Sequence, residues 1–513
     1  MKKIWHTIKK ITKMISRIFG YLFLSLIIIV LLAAFVWYPI KVASYTPTPP
    51  EHLAQKTTYL ESINVENTEK PNVIIILFDD LGYGDLSSYG NKLIKTPAMD
   101  SVAKHGVRFT NFYSSSPVCT PSRAGLLTGR LPIRARAGDH VYFPEGHTIG
   151  NFRKVRGSAN ELPKDEILLP EVFKSAGYKT SMLGKWHLGD IDGHLPNDFG
   201  FDEYYGVRYS NDMLPLHIYR NATIEEEDKT ELVSGSKSHT DEQDPIKITG
   251  LDQTQLTEKY TREAVKFINN NKDEPFFLYF SHSFPHVPHY ASKEHEGKSA
   301  GGLYGDVVED LDRSVQSVMD ALAANGLEEN TLVIITSDNG ADYNGSSGNL
   351  RGRKQESYEG GQRVPLIVQW KNKLPEGLVT DEMAMNIDFF PTLLSLLNIK
   401  LPTDRIIDGT NIMPAIEGTG SPNDILYYTS AASGEITGIR NDNYKYHEGG
   451  FNAFPLFMGM GAVMKRKPQL NDILLDNESH NLINKYPNEA ASLRSLMYKK
   501  IDNINSNKRG WIE

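Results

Sequence analysis

Four hard oxygen donors stand in two pairs, Asp79-Asp80 and Asp338-Asn339, each at the end of a continuous apolar run. Carboxylate and amide oxygens without sulfur suit Ca²⁺ or Mg²⁺ rather than a transition metal. On composition alone, Asp-Asp-Leu-Gly-Tyr-Gly could equally be a turn. Cys119, the one cysteine among 513 residues, precedes Thr120, Pro121, Ala124, Leu126, Leu127 and Gly129. That order reads as a helix capped by Thr120, with Pro121 in its first turn and Gly129 ending it. A cysteine there favours an anion or a depressed thiol pKa, and Arg123 adds a fixed cation; the plain alternative is a small buried hydrophobe. Lys185 and His187 follow another short apolar run, and His282, His286 and His289 follow a third. The spacing of the three histidines is irregular for zinc, with no cysteine or nearby carboxylate pair to complete a site. Residues 345–361, glycine-rich and basic, suit an anion cradle.

The elements that must hold these residues follow from the apolar pattern. Residues 71–78 and 331–337 read as buried parallel strands, and open α/β sheets place ligands beyond the carboxyl ends of such strands. Strands at 179–183 and 275–280 alternate with helices ending near 176 and spanning 257–270, 303–322 and 388–397. From about residue 424 the pattern changes to short strands at 425–428, 435–440, 444–447 and 473–476, then a helix at 489–503. The expected fold class is α/β: a large, mixed, mostly parallel sheet flanked by helices, with a smaller C-terminal domain of antiparallel sheet plus helix. Residues 223–257 read as an acidic surface insertion. Residues 451–467, rich in Gly, Met and Phe, could line a substrate entrance, with packing as the default.

The N-terminus carries Lys2, Lys3, Lys9, Lys10, Lys13 and Arg17 without an acidic residue, followed by 23 uncharged residues, 18–40. Such a run is long enough for a spanning helix, with the basic flank on the cytoplasmic side. The expected organisation is a basic tail at 1–17, a transmembrane signal-anchor at 18–40, a polar linker at 41–70, a catalytic domain at 71–423 and a C-terminal subdomain at 424–513. The main domain then lies outside the cytoplasm; cleavage of the segment would make it secreted. A single cysteine excludes an intramolecular disulfide. A net charge of −8, with no basic cluster beyond the tail, argues against a nucleic-acid partner.

The string from Cys119 to Gly129, C-T-P-S-R-A-G-L-L-T-G, resembles the C-x-P-S-R-x-x-L-L-T-G signature of the type I, arylsulfatase A-like sulfatases of the alkaline phosphatase superfamily. The motifs D-D-x-G-Y-G at Asp79, G-K-W-H-x-G around Lys185, P-H-x-P around His286, S-D-N-G at Asp338 and L-R-x-x-K-x-x-x-Y-E-G-G around Lys354 resemble that family too. The resemblance implies hydrolysis of sulfate monoesters by a Cα-formylglycine made from Cys119 by a maturation enzyme. It implies that Asp79, Asp80, Asp338 and Asn339 bind Ca²⁺, with Mg²⁺ as the alternative, and that Cys119, Arg123, Lys185, His187, His286 and Lys354 are catalytic. By the same resemblance Lys185, His286 and Lys354 contact the sulfate or leaving group, and, on a looser match, Ser210 contacts substrate. The implied substrate is a sulfated small molecule or glycan. Two other readings stay open: a phosphonate or phosphate monoester hydrolase of the same superfamily, and a non-catalytic, membrane-tethered binder of sulfated glycans.

Overall fold

The computed structural model describes residues 2–32, 50–65, 69–155, 157–228, 251–449, 467–474 and 477–512. The chain divides into two compact units, residues 1–47 with 146–159, and residues 48–145 with 160–513. The first contains helix α1 (Lys2–Leu32) and a short helix, Thr148–Val155. Within α1, Lys9–Leu32 has a mean hydropathy of 2.4 and is long and apolar enough to cross a membrane. Residues 33–40 of the expected span lie outside the described residues.

The second unit begins with helix α2 (Pro50–Glu61), where a spacer was expected. It is not an extended tether, because its polar residues have partners in the main body. Lys56 Nζ lies 2.5 Å from Glu171 Oε1 and donates to the carbonyls of Lys164 and Glu166, and His52 stacks on Trp511 at 3.8 Å.

Ten strands form the main sheet, in chain order β1 (Asn72–Phe78), β2 (Val107–Phe109), β4 (Lys179–Lys185), β5 (Glu203–Val207), β6 (Ile218–Arg220), β7 (Thr223–Glu226), β8 (Phe276–Ser281), β9 (Thr331–Ser337), β10 (Leu366–Gln369) and β11 (Leu378–Thr380). A minor pair is made by β3 (Phe112–Tyr113) and β12 (Ala384–Met385). The spatial order is β11-β2-β10-β9-β1-β8-β4-β5-β6-β7. The central run β9-β1-β8-β4-β5 is entirely parallel, and antiparallel pairs flank it on both sides. Every residue of β1, β8 and β9 is buried, which is why they read as unbroken apolar runs rather than alternating ones. Helix α3 (Cys119–Thr128) follows β3 of the minor pair, α4 (Leu256–Asn270) and α5 (Gly302–Ala324) follow β7 and β8 of the main sheet, and the last two bury Phe267, Ile268, Leu311 and Val315 in the main core.

Two boundaries differ from the sequence expectation. Thr223–Glu226, assigned to the acidic insertion, forms β7 against β6; residues 229–250 lie outside the described residues. The C-terminal sheet is β13 (Leu426–Thr429), β14 (Ile436–Arg440), β15 (Tyr444–His447) and β16 (Gln469–Asp472), all antiparallel. Its last strand precedes the expected 473–476, because the Tyr446–Leu470 pairing buries Leu470, and the chain turns where the Leu474 N–H donates to Asp472 Oδ1. The closing helix α6 (Pro487–Ser506) packs Ala490, Leu493 and Met497 onto this sheet. The proposed entrance segment, residues 451–467, lies outside the described residues apart from Lys467.

Candidate active site

All five parallel strands of the sheet centre end on one edge, and each delivers residues there. Asp79 and Asp80 follow β1, Asp338 and Asn339 follow β9, Lys185 ends β4 with His187 two residues beyond, Ser210 follows β5, and His286 follows β8. This is the edge at which open α/β sheets bind ligands. The backbone there is unusual: Asp80 and His187 have φ of 70° and 62°, in the left-handed region that non-glycine residues seldom occupy away from functional sites. Gly184, with φ of 97°, has no alternative, since a Cβ there would lie 1.8 Å from the Ser281 carbonyl oxygen. The glycine before Lys185 thus lets β4 close against β8 where the site begins.

Cys119, 1 % exposed, points its thiol at the aspartate pair and donates to Asp79 Oδ1 at 3.4 Å. Arg123, one turn further along α3, grips Asp338 Oδ2 through Nε at 2.9 Å and a second guanidinium nitrogen at 2.8 Å. It also donates to the Lys185 carbonyl and Ser281 Oγ, and lies 3.5 Å from Asp79. Lys185 Nζ sits 2.6 Å from Asp79 Oδ2, and Lys354 Nζ sits 2.6 Å from Asp80 Oδ2. Lys185 also donates to Ser210 Oγ at 3.2 Å, and Ser210 Oγ is 3.3 Å from His286 Nδ1. The structure therefore brings all eleven sequence-selected residues into one constellation, buried except for the partly exposed Lys354.

Asp79, Asp80, Asp338 and Asn339 stand together as a hard donor set, with the Asp80 N–H donating to Asp338 Oδ1 at 3.1 Å. Asn339 donates through Nδ2 to Asp80 Oδ1 at 2.7 Å, while its own Oδ1 is buried without a hydrogen-bond partner. A buried amide oxygen left without a partner in a residue that bonds Asp80 fits a Ca²⁺ or Mg²⁺ ion held with Asp79, Asp80 and Asp338. A softer set also exists, since ligand atoms of Asp79, Asp80, Cys119 and His286 all lie within 4.8 Å of one another.

The electrostatics revise one expectation. Helix α3 starts at Cys119 itself, with extended Val118 before it, so Thr120 is not the cap. Instead the Thr120 hydroxyl donates to the His187 carbonyl and accepts from the Tyr142 N–H. Burial pushes the Cys119 thiol well above its ordinary value, and Lys185 and Lys354 pull the other way without prevailing. A helix dipole contributes about 0.5–2 kcal/mol, whereas burying an unpaired charge costs several, so the thiol stays protonated. Burial alone would lower the Arg123 guanidinium, but Asp338 and Asp79 more than offset it. Burial, with Lys185 and Arg123 for His187 and Lys354 for His286, holds both imidazoles well below their ordinary range and hence neutral. The oxygen of Tyr142 faces His187 Nε2 at 3.1 Å and fixes the proton there, leaving Nδ1 buried and without a partner. For His286, the Asn211 Oδ1 and Val287 carbonyl oxygens fix the proton on Nδ1, and Nε2 lies 3.7 Å from Asp80 Oδ2.

Several supporting residues escaped the sequence reading. Asn211, next to Ser210, orients His286, and its own amide is held by Gln253 and the Pro288 carbonyl. His282, which the sequence did group with His286 and His289, lies fully buried between Phe78 and Phe280 and bonds Ser314 Oγ, and burial alone pushes its pKa down to about 3. Most extensive is the cluster around Glu359, five residues after Lys354. Its carboxylate accepts from Tyr113 and Tyr428, each at 2.6 Å, and from Lys445 at 3.2 Å, while its N–H donates to Glu478. Arg440 bonds the Tyr113 hydroxyl, and Lys445 pairs with Glu478 at 2.8 Å. The C-terminal sheet thereby grips the loop that carries Lys354.

Comparison with known proteins agrees with this geometry. Residues 71–399 match the family model described as Sulfatase, and residues 353–449 match one described as N-sulphoglucosamine sulphohydrolase, C-terminal. The chain is 37 % identical to the N-acetylgalactosamine-6-sulfatase of Rattus norvegicus over 74 % of this chain and 71 % of the relative. It is 36 % identical to arylsulfatase A of Bos taurus, over 74 % of each. Among solved structures, a protein from the metabolism of multiple glycosaminoglycans by Bacteroides thetaiotaomicron superimposes with a TM-score of 0.74 at 27 % identity, covering 85 % of this chain and all of that one. The phosphonate monoester hydrolase of Agrobacterium radiobacter shares the fold, with a TM-score of 0.57 at 19 % identity over 83 % of this chain and 96 % of that one.

Proposed function

Because this chain belongs to the sulfatase family and is a sulfuric ester hydrolase, we propose that it releases sulfate from sulfated glycans through a formylglycine made from Cys119 and a divalent cation. The observation that carries this reading is the convergence of five strand ends and the start of α3 on one buried point, with cations and oxygen donors interleaved around Cys119. The glycan class is supported by relatives that act on N-acetylgalactosamine 6-sulfate groups and in glycosaminoglycan metabolism.

Asp79, Asp80, Asp338 and Asn339 would hold the cation, which supplies Lewis-acid polarisation, and the hydrated aldehyde at position 119 supplies the nucleophilic hydroxyl. The chain's own residues do the rest. Arg123 orients Asp338 and Asp79, since both carboxylates lie within its reach. Lys185 and Ser210 on one side and Lys354 on the other offer donors to the sulfuryl oxygens and the leaving oxygen, while His286, whose Nδ1 proton is engaged by Asn211 and Val287, presents Nε2 to the same space. Preorganised donors in a water-excluded pocket are worth most where charge develops. His187, neutral with Nδ1 unpartnered, is available to take up a proton. The uncharged part of helix α1, from residue 18 onward, would anchor the protein, with the basic flank at 1–17 inside and the catalytic unit outside the cytoplasm.

The test is peptide mass across Cys119 in protein from its native host, together with sulfate release from an aryl sulfate. A loss of about 18 Da relative to cysteine, accompanied by release, is expected. An unmodified thiol with no release would overturn the reading, as would dominant turnover of a phosphonate ester. Removing divalent cations with a chelator should lower turnover by about 10²–10³-fold, restored by Ca²⁺ or Mg²⁺, because the lost Lewis acid is worth several kcal/mol of transition-state stabilisation. Chelated enzyme with full activity would exclude the proposed cation site.

A further inference from the structure

Beside its hard oxygens the constellation holds a sulfur and an imidazole nitrogen, atoms that Ca²⁺ and Mg²⁺ do not favour and that borderline ions such as Zn²⁺ and Co²⁺ do. Cys119 Sγ lies 3.4 Å from Asp79 Oδ1 and 4.0 Å from Asp80 Oδ1, and His286 Nε2 lies 3.7 Å from Asp80 Oδ2. One ligand atom from each of these four buried residues lies within 4.8 Å of the other three. Ligands held at about 2.0–2.3 Å around a tetrahedral Zn²⁺ stand about 3.3–3.8 Å from one another. Two of the three separations fall inside that range and the third lies just beyond it.

The surroundings prepare these atoms as ligands. The His286 Nδ1 proton is engaged by Asn211 Oδ1 at 3.1 Å and by the Val287 carbonyl, which leaves the Nε2 lone pair turned towards Asp80. The Asn211 amide cannot turn round, because its Nδ2 donates to the Pro288 carbonyl and to Gln253, each at 3.1 Å. Metal-bound imidazoles are held in this way, one nitrogen donating to an oxygen and the other facing the ion. Lys185 and Lys354 each hold one oxygen of Asp79 and Asp80 at 2.6 Å, so the ligating carboxylates are braced as well. The approach runs past Lys354 and His286, whose side chains keep 10 % and 7 % of their surface open.

We propose that the chain with Cys119 unconverted binds one borderline divalent ion, Zn²⁺ or Co²⁺, through Cys119 Sγ, His286 Nε2, Asp79 and Asp80, and that conversion of Cys119 abolishes this site. As the ion enters, the thiol proton leaves to solvent and the sulfur–metal bond takes its place, so no bare thiolate is buried. Both this ion and the hard cation need Asp79 and Asp80, and they therefore exclude each other. Loss of the site on conversion rests on the formylglycine reading above; binding by the thiol form does not. The state of one side chain thus decides which class of metal the protein takes.

The experiment titrates Co²⁺ into the full chain made without a maturation enzyme and stripped of metal by a chelator. A thiolate-to-Co²⁺ charge-transfer absorption that saturates at one ion per chain is expected; Zn²⁺ should remove it and a large excess of Ca²⁺ should not. With a single cysteine in the chain, that absorption reports Cys119 alone. Cys119→Ser should abolish it. His286→Ala should weaken Co²⁺ binding about 100-fold or more, since losing even a partner behind a metal ligand costs about 10–100-fold. No charge-transfer absorption in the thiol chain, its removal by Ca²⁺, or unweakened binding by His286→Ala would overturn the site. Should His286→Ala fail to fold, the absorption of the unsubstituted chain and its response to Ca²⁺ decide alone. Converted chain that binds Zn²⁺ as tightly would overturn the loss on conversion. An unmodified thiol in protein from the native host, with no sulfate release, would instead count against the formylglycine reading and leave the thiol site standing.

Discussion

Cys119→Ala lowers sulfate release by about 10⁴-fold or more, because it deletes the side chain that becomes the nucleophile and leaves only the binding groups around it. The substitution is small for the fold. Cys119 makes only weak, long thiol contacts, to Asp79 at 3.4 Å and Asp80 at 4.0 Å, and losing one buried sulfur costs about 1 kcal/mol. Activity should therefore vanish with little change in Tm, a pairing that a merely structural cysteine would not give. Turnover above about one hundredth of wild type would place the nucleophile elsewhere. The measurement is aryl sulfate turnover alongside thermal unfolding of the same preparation.

Glu359→Gln acts on stability first. Burial alone would raise this carboxyl, but Lys445, Arg440 and Arg363 hold it well below the usual carboxylate range. Removing the charge leaves buried Arg440 without a carboxylate and Lys445 with Glu478 alone, which costs about 3–5 kcal/mol. The sign with pH follows from the lowered folded value. The contribution of Glu359 is complete above about pH 4.5 and is lost as pH falls towards about 2. Unfolding curves should thus separate wild type from variant widely at pH 7, with the gap narrowing below pH 4.5. Because the same carboxylate secures the loop ending in Lys354, kcat should fall as well, even at temperatures where the variant is folded. A variant as stable as wild type at neutral pH would show that Tyr113, Tyr428 and Lys445 reorganise at no cost.

The sequence exposes the site more fully than its supports. Asp79, Asp80, Asp338 and Asn339 are legible because β1 and β9 are buried on both faces, so their ends are marked by an abrupt change from apolar to polar residues. The Glu359 cluster has no such mark. Its partners Tyr428, Lys445 and Tyr113 lie 69, 86 and 246 residues away, and no local period links them. Helix α2 was read as a tether because its pattern is polar, yet Lys56 is drawn inward by Glu171 and two carbonyls that only tertiary structure supplies. Thr120 looked like a cap until His187 and Tyr142 claimed its hydroxyl. Local propensity loses in each case to a partner far along the chain.

The burial of Cys119 also sets a clock. The segment leading into it is closed by residues made much later: the Ser114 N–H donates to the Gln362 carbonyl, the Ser115 N–H to Asn386, and the Ser115 carbonyl accepts from Thr429, 314 residues downstream. At synthesis rates of about 5–20 residues per second, roughly 15–60 s pass before that last bond can form. Any agent that alters Cys119 has that interval, while the nascent chain is still incomplete, before the cysteine is sealed inside.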